Sequence, residues 1–182
     1  MKQKRTLCGL GMSVVLAACT ATGEPQRPVV VAAVGKVVEG LATEAMQRQA
    51  SEAFRGLPVV VRTGGGNGAE TVVAEMMRTR LTERGAPLEV ACPAKCLEIT
   101  LVEFVMEATG QAAPGQLLPV NAGSVAGLSG LPRAPGERQS LPPGHASALL
   151  VTFAARDGNR YNGRQQLVAI VAIAKQAEGS IR

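Results

Sequence analysis

Two stretches of apolar residues recur at spacings of three and four, and a short strand-like run follows each. In the first, Val34, Val37, Val38, Leu41, Ala42, Ala45, Met46, Ala53 and Phe54 share one stripe, with Glu39, Glu44, Arg48 and Glu52 mostly off it. This predicts an amphipathic helix, stopped by Gly56 and Pro58. Leu57 to Arg62 is β-branched and predicts a buried strand. The second stripe is Ala69, Val72, Val73, Met76, Met77 and Leu81. Asn67 with Glu70 three residues on has the form of a capping box. Arg78, Arg80 and Arg84 gather toward the C-terminal end, where the helix dipole favours cations, and Gly85 is a natural terminator.

The remaining patterned segments are strands. Pro87 to Ala91 reads as a short one. Leu97 to Met106 reads as a longer one, with Leu97, Ile99 and Leu101 on one face and Glu98 and Thr100 on the other. Ala148 to Ala155 and Gln166 to Ala174 flank Arg156-Asp157-Gly158-Asn159-Arg160, which carries hairpin turn residues. The order predicts an α/β (α+β) fold: a small mixed sheet with two main helices packed on one face. Residues 108–147 break the pattern. Pro114, Pro119, Pro132, Pro135, Pro142 and Pro143 lie there with many glycines. The segment reads as a mobile insertion, because structureless loops of such length are uncommon inside compact domains. Its Leu117, Leu118, Val120, Val125, Leu128 and Leu131 leave contact with a partner or a membrane as the sharper reading.

The first residues carry a different signal. Lys2, Lys4 and Arg5 precede an apolar run from Leu7 to Leu16, then Leu16-Ala17-Ala18-Cys19. Charge, short apolar core and small residues, in that order, predict a secretory signal peptide. The run is too short to span a bilayer, which needs about 20 apolar residues. Charges or prolines interrupt every later apolar run. The expected organisation is a signal peptide over 1–18, a tether over 19–33, one domain over 34–175 containing the insertion, and a tail over 176–182. Residues 20–28, with Pro25 and Pro28, have the polar composition of a linker.

Composition removes several function classes. Taking away Lys2, Lys4 and Arg5, with no acid, lowers the formal charge from +5 to +2. No nucleic-acid partner is expected from so small an excess without an aromatic-and-basic cluster. Tryptophan is absent and tyrosine occurs once, so the core must be aliphatic, and sugar-stacking or base-stacking surfaces become improbable.

Two cysteines remain beside Cys8 and Cys19. Cys92 and Cys96, separated by Pro93, Ala94 and Lys95, read as a structural disulfide in an oxidising compartment. Free thiols and redox chemistry are the alternatives. Redox motifs usually have two intervening residues rather than three, and a zinc site would need two further ligands. Gly64-Gly65-Gly66-Asn67-Gly68-Ala69 satisfies G-x-G-x-x-A, with Glu89 about where a ribose-binding acid would be sought. The plainer reading is a flexible strand-to-helix turn. Glu98, Glu103 and Glu107 read as a solvated strand face, and an inward-facing Glu103 beside an arginine is the alternative. His145 is the sole histidine and sits in a Pro/Gly-rich setting. No catalytic, cofactor-binding or metal-binding residue is expected, and hence no enzyme.

Leu16-Ala17-Ala18-Cys19 resembles a bacterial lipobox, which implies that Cys19 receives the lipid and becomes the first mature residue. Thr20 rather than Asp after it implies the periplasmic face of the outer membrane. The sequence of helix 39–54, strand 59–61, and a helix ending in Leu81-Thr82-Glu83-Arg84-Gly85 is similar to envelope lipoproteins with a TolB-amino-terminal-like or CsgG-like domain. These include FlgO-type flagellar, peptidoglycan-synthase activator and TrbH-type conjugal-transfer lipoproteins. The resemblance covers about residues 34–106. It implies non-enzymatic work, assembling or steadying a cell-envelope machine beside a protein partner. A ligand-binding or redox lipoprotein using residues 64–69 or the cysteine pair is the alternative.

Overall fold

A computed structural model describes residues 29–65, 68–108, 112–120 and 141–175. Its elements run β1 (Val29–Ala32), α1 (Val34–Ala50), β2 (Val59–Thr63), α2 (Ala69–Glu83), β3 (Lys95–Glu107), β4 (Leu117–Pro119), β5 (His145–Asp157) and β6 (Arg160–Lys175). The strands form one mixed sheet in the order β1-β6-β5-β3-β2, with β4 also on β6. Only β2 and β3 are parallel, and α2 makes the crossover between them. This is the expected α+β architecture with two helices on one face.

Alternation on the strands builds the principal core. Val59 and Val61, then Leu97, Ile99 and Leu101, then Leu149, Val151 and Phe153, then Leu167, Ala169 and Val171 all point to the helices. From α1 come Val37, Val38, Leu41, Ala42 and Ala45; from α2 come Val73, Ala74, Met77 and Leu81. The first stripe behaves as its spacing predicts, but α1 stops at Ala50. Ser51 takes an extended ψ of 155°, and its backbone N–H and its hydroxyl both bond to the Arg48 carbonyl. Phe54 still reaches the core from the following turn.

The second stripe is rotated relative to the expectation. Val72 is 53% exposed and Met76 42% exposed, whereas Glu70, Val73, Ala74, Met77 and Leu81 are buried. The helix turns Glu70 inward because its carboxylate has a backbone partner there, described below.

Two further corrections concern segments read as irregular. Val29–Ala32, assigned to the tether, is a strand antiparallel to the end of β6, with Val29 opposite Lys175 and Ala32 opposite Ala172. Within the segment read as a mobile insertion, Leu117–Pro119 pairs with Leu167–Ala169 of β6, and Gly115 N–H and the Gln116 carbonyl exchange bonds with Ile170. β4 therefore continues the line of β1 along the outer edge of β6. His145, Ala146 and Ser147 already belong to β5. Residues 109–111 and 121–140 of that segment lie outside the described residues. The run Pro87–Ala91 contributes only a bridge from Leu88 to Val59.

The helix-free face holds two small apolar groups, around Phe104, Ala148 and Val168 and around Ala146, Ile170 and Ile173, to which Leu118 of β4 adds. Among the described residues no helix is long and apolar enough to cross a membrane.

The rotated α2 face has a direct check. Met77→Ala should lower unfolding stability by about 2–5 kcal/mol, as for other fully buried large-to-small changes. Val72→Ala, on the neighbouring exposed position, should change it by less than about 0.5 kcal/mol. Denaturant melts of the two variants decide which residues face the sheet.

Candidate functional site

The sheet carries a polar cluster on each face. On the helix face, β2 ends at Thr63, opposite Leu101 of the much longer β3, and Gly64 N–H closes the ladder on the Leu101 carbonyl. Two residues further along, the Glu103 N–H faces an edge that β2 no longer covers. The Glu70 carboxylate accepts it at 2.7 Å. In return the Glu103 carboxylate accepts the Ala69 N–H, at the first turn of α2, at 2.7 Å. Ser147 Oγ of β5 donates to the other Glu103 oxygen at 2.9 Å. Glu70, Glu103 and Ser147 are all buried.

The glycine turn is therefore explained from inside the protein. The helix N-terminus, where exposed N–H groups would suit an anion, is met by the Glu103 carboxylate. A Cβ at Gly68 would overlap that carboxylate, so glycine is required there for close approach. The helix cap is Gly68, with no side-chain bond of its own. Glu70 is bonded to β3; its expected capping partner Asn67, like Gly66, lies outside the described residues. Glu89 is not at this end of the sheet. Its N–H bonds to the Val59 carbonyl at the start of β2, opposite to the Gly64 end, and its side chain lines a shallow groove of about 440 Å³ with Val61, Glu75, Arg78, Leu88 and Val90. A ribose-binding acid would sit at the other end of β2.

The second cluster lies on the helix-free face and comes from four strands. Glu98 of β3, read from sequence as solvated, is buried. Its carboxylate is 3.1 Å from Arg156 Nη1 of β5 and 3.4 Å from Arg62 Nε of β2. Tyr161 of β6 donates its hydroxyl to Glu98 at 3.2 Å. Arg156 and Arg164 lie over the Tyr161 ring, 5.9 and 5.7 Å from its centre, within cation–π range. Sequence reasoning missed this cluster. Its one trace was the placing of Arg156 and Tyr161 as facing partners across the Gly158-Asn159 turn.

The predicted site residues are now placed. Cys92 and Cys96 form a disulfide with a Cα–Cα distance of 5.5 Å, and Cys96 is wholly buried. It pins the chain at the start of β3, where the Gly158 N–H bonds to the Ala94 carbonyl. Cys19 lies outside the described residues. His145 Nδ1 sits 3.1 Å from the Pro143 carbonyl. Among the described residues no three His, Cys, Asp or Glu side chains converge as metal ligands.

Three outcomes test these assignments. Glu103→Gln weakens the acceptor on both the helix terminus and Ser147 and should cost about 1–2 kcal/mol by thermal or urea melting, in line with the loss of a helix cap. Gly68→Ala should cost more, because Cβ and carboxylate cannot share the space. Reduction, or Cys92→Ser, should cost about 2 kcal/mol, the entropic value for so short a loop, and intact mass should rise by two hydrogens on reduction. No family model, curated protein or solved structure matches the chain.

Proposed function

We propose that the protein is a lipoprotein held through Cys19 to the periplasmic face of the outer membrane, where it serves as a non-enzymatic assembly or adaptor subunit of a cell-envelope machine such as a flagellum, pilus, secretion or conjugation apparatus. Leu16-Ala17-Ala18-Cys19 behind a basic and apolar start carries this reading. The first described strand starts at Val29, ten positions after Cys19, a separation of at most about 35 Å along the chain, which is compatible with it. Two or three acyl chains give stable attachment at about 0.8 kcal/mol per buried methylene, where one chain does not.

The polar clusters support an adaptor over the ligand-binding and redox alternatives. At the α2 terminus, the Ala69 N–H is engaged by the Glu103 carboxylate. The cysteine pair is closed, with Cys96 buried away from attacking thiols. The side chains that converge at the surface are guanidiniums around one tyrosine, an arrangement suited to recognition.

Growth with an alkyne fatty acid should label the wild-type protein and leave Cys19→Ala unlabelled, with the signal peptide retained in the variant. Equal labelling of both proteins would remove the lipoprotein reading.

A further inference from the structure

The far end of the β5–β6 hairpin carries a concentration of positive charge on a rigid support. Arg62, Lys95, Arg156, Arg160 and Arg164 gather there against Glu98 and Asp157, a net +3, although the described residues as a whole carry only one charge in excess. Two of these cations, Arg156 and Arg164, lie over the Tyr161 ring on the helix-free face, and Arg62 reaches the same Glu98 carboxylate that holds the tyrosine hydroxyl. Glu98 neutralises one and fixes two, by contacts to Arg62 and Arg156, and it also holds the tyrosine hydroxyl. Arg164 makes no ion pair among the described residues.

Backbone geometry aims the third cation. Gly163 takes φ +61° where the β5–β6 register slips by one residue, between the Phe153–Gln165 and Ala155–Asn162 pairs. A bulge of this kind bends the strand and redirects the next side chain, here Arg164 onto the Tyr161 ring. All of Arg160–Gln165 is exposed.

We propose that this patch is a docking surface for an acidic peptide segment of a protein partner, with Arg164 and Arg62 binding its carboxylates and Tyr161 as the flat floor between them. Pre-positioned guanidiniums recognise carboxylates as forks, with little further loss of side-chain freedom. The exposed run Arg160-Tyr161-Asn162-Gly163-Arg164-Gln165 offers no Leu, Phe or Trp to insert, which a membrane-surface element would use. One aromatic ring is too few for a single-strand nucleic-acid platform. Position agrees as well. Val29, where the chain joins the sheet, is opposite Lys175, and Tyr161 lies fourteen residues back along β6, about 45 Å away at strand spacing. This proposal deepens the adaptor reading and rests on it only for the identity of the partner as a protein; the binding assay below does not depend on lipid at Cys19.

The test uses the purified mature protein in non-ionic detergent and a fluorescein-labelled twelve-residue Glu/Ser peptide, followed by anisotropy at 50 and 200 mM salt. Binding should be measurable at low salt and weaken at high salt. Arg62→Gln/Arg164→Gln should weaken it about tenfold, Arg164→Gln alone by less, and Arg55→Gln/Lys175→Gln, with the same loss of charge elsewhere, should leave it within twofold. Thermal melts of the single Arg164→Gln variant should stay close to wild type, since that side chain makes no hydrogen bond or ion pair among the described residues and meets only the exposed Tyr161 ring. Absence of peptide binding, or equal loss in both double variants, overturns the proposal. So does full displacement by phosphatidylglycerol added to the micelles, which would identify a lipid surface, or tighter binding of a twelve-residue oligothymidylate. Failure of Cys19 labelling with intact peptide binding would remove the lipoprotein reading and leave this one standing.

Discussion

Two carboxylates exchanging backbone hydrogen bonds hold α2 to β3, and the rest of the sheet is arranged around that junction. The cause is a mismatch of length. β2 has five residues and β3 thirteen, so the parallel ladder ends at Leu101 with nearly half of β3 still to run. An uncovered N–H inside the protein costs as much as a lost hydrogen bond, and Glu70 satisfies the one at Glu103. Burying a carboxylate is costly unless it is bonded; Glu103 receives the helix N–H and the Ser147 hydroxyl. Helix, parallel pair and central strand β5 are thereby fixed by one set of charge-assisted bonds, which are about twice as strong as neutral ones.

The two faces then divide the work. The helix face is mainly aliphatic outside the Glu70–Glu103–Ser147 cluster, and among the described residues the aromatic side chain that the sheet directs to it, Phe153, lies beneath the Arg48 guanidinium at 4.5 Å. The other face grades from apolar around Phe104 and Ile170 to charged around Glu98 and Tyr161. The edge strands of the sheet are short: β1 has four residues, β4 three and β2 five. On β2, Leu88 bridges Val59 and Arg78 donates to the Val61 carbonyl at 2.7 Å. On β6, β1 and β4 share the outer side. Covered or interrupted edges are how sheet proteins avoid pairing with other chains.

The fold class was legible because both helical stripes and the hairpin obey simple periods. Leu97, Ile99 and Leu101 alternate into the core as their spacing predicts. The errors trace to interactions between distant segments. Val72 and Met76 are more apolar than Glu70, so the stripe read from sequence is turned toward them; the position of the Glu103 N–H gives Glu70 a reason to be inside. Val29–Ala32 and Leu117–Pro119 are strands only because β6 is long enough to offer them an edge. Their flanking prolines and glycines made both segments look irregular. The Glu98 cluster joins residues up to 102 positions apart, from Arg62 to Arg164, and no local pattern encodes it. The disulfide was legible from the close spacing of Cys92 and Cys96.

The pairing of β1 with the end of β6 bears on mechanics. A load arriving through residue 28 reaches Val29 first and is passed to the last strand before it reaches any helix. Because β1 runs antiparallel to β6 with four residues in register, tension along its axis shears all their bonds together, and tension across it peels them singly. The direction of pull thus determines whether this edge behaves as a stiff clamp or as a release point. In the second case β1 can detach from β6 while the junction between α2 and β3, on the opposite side of the sheet, stays intact.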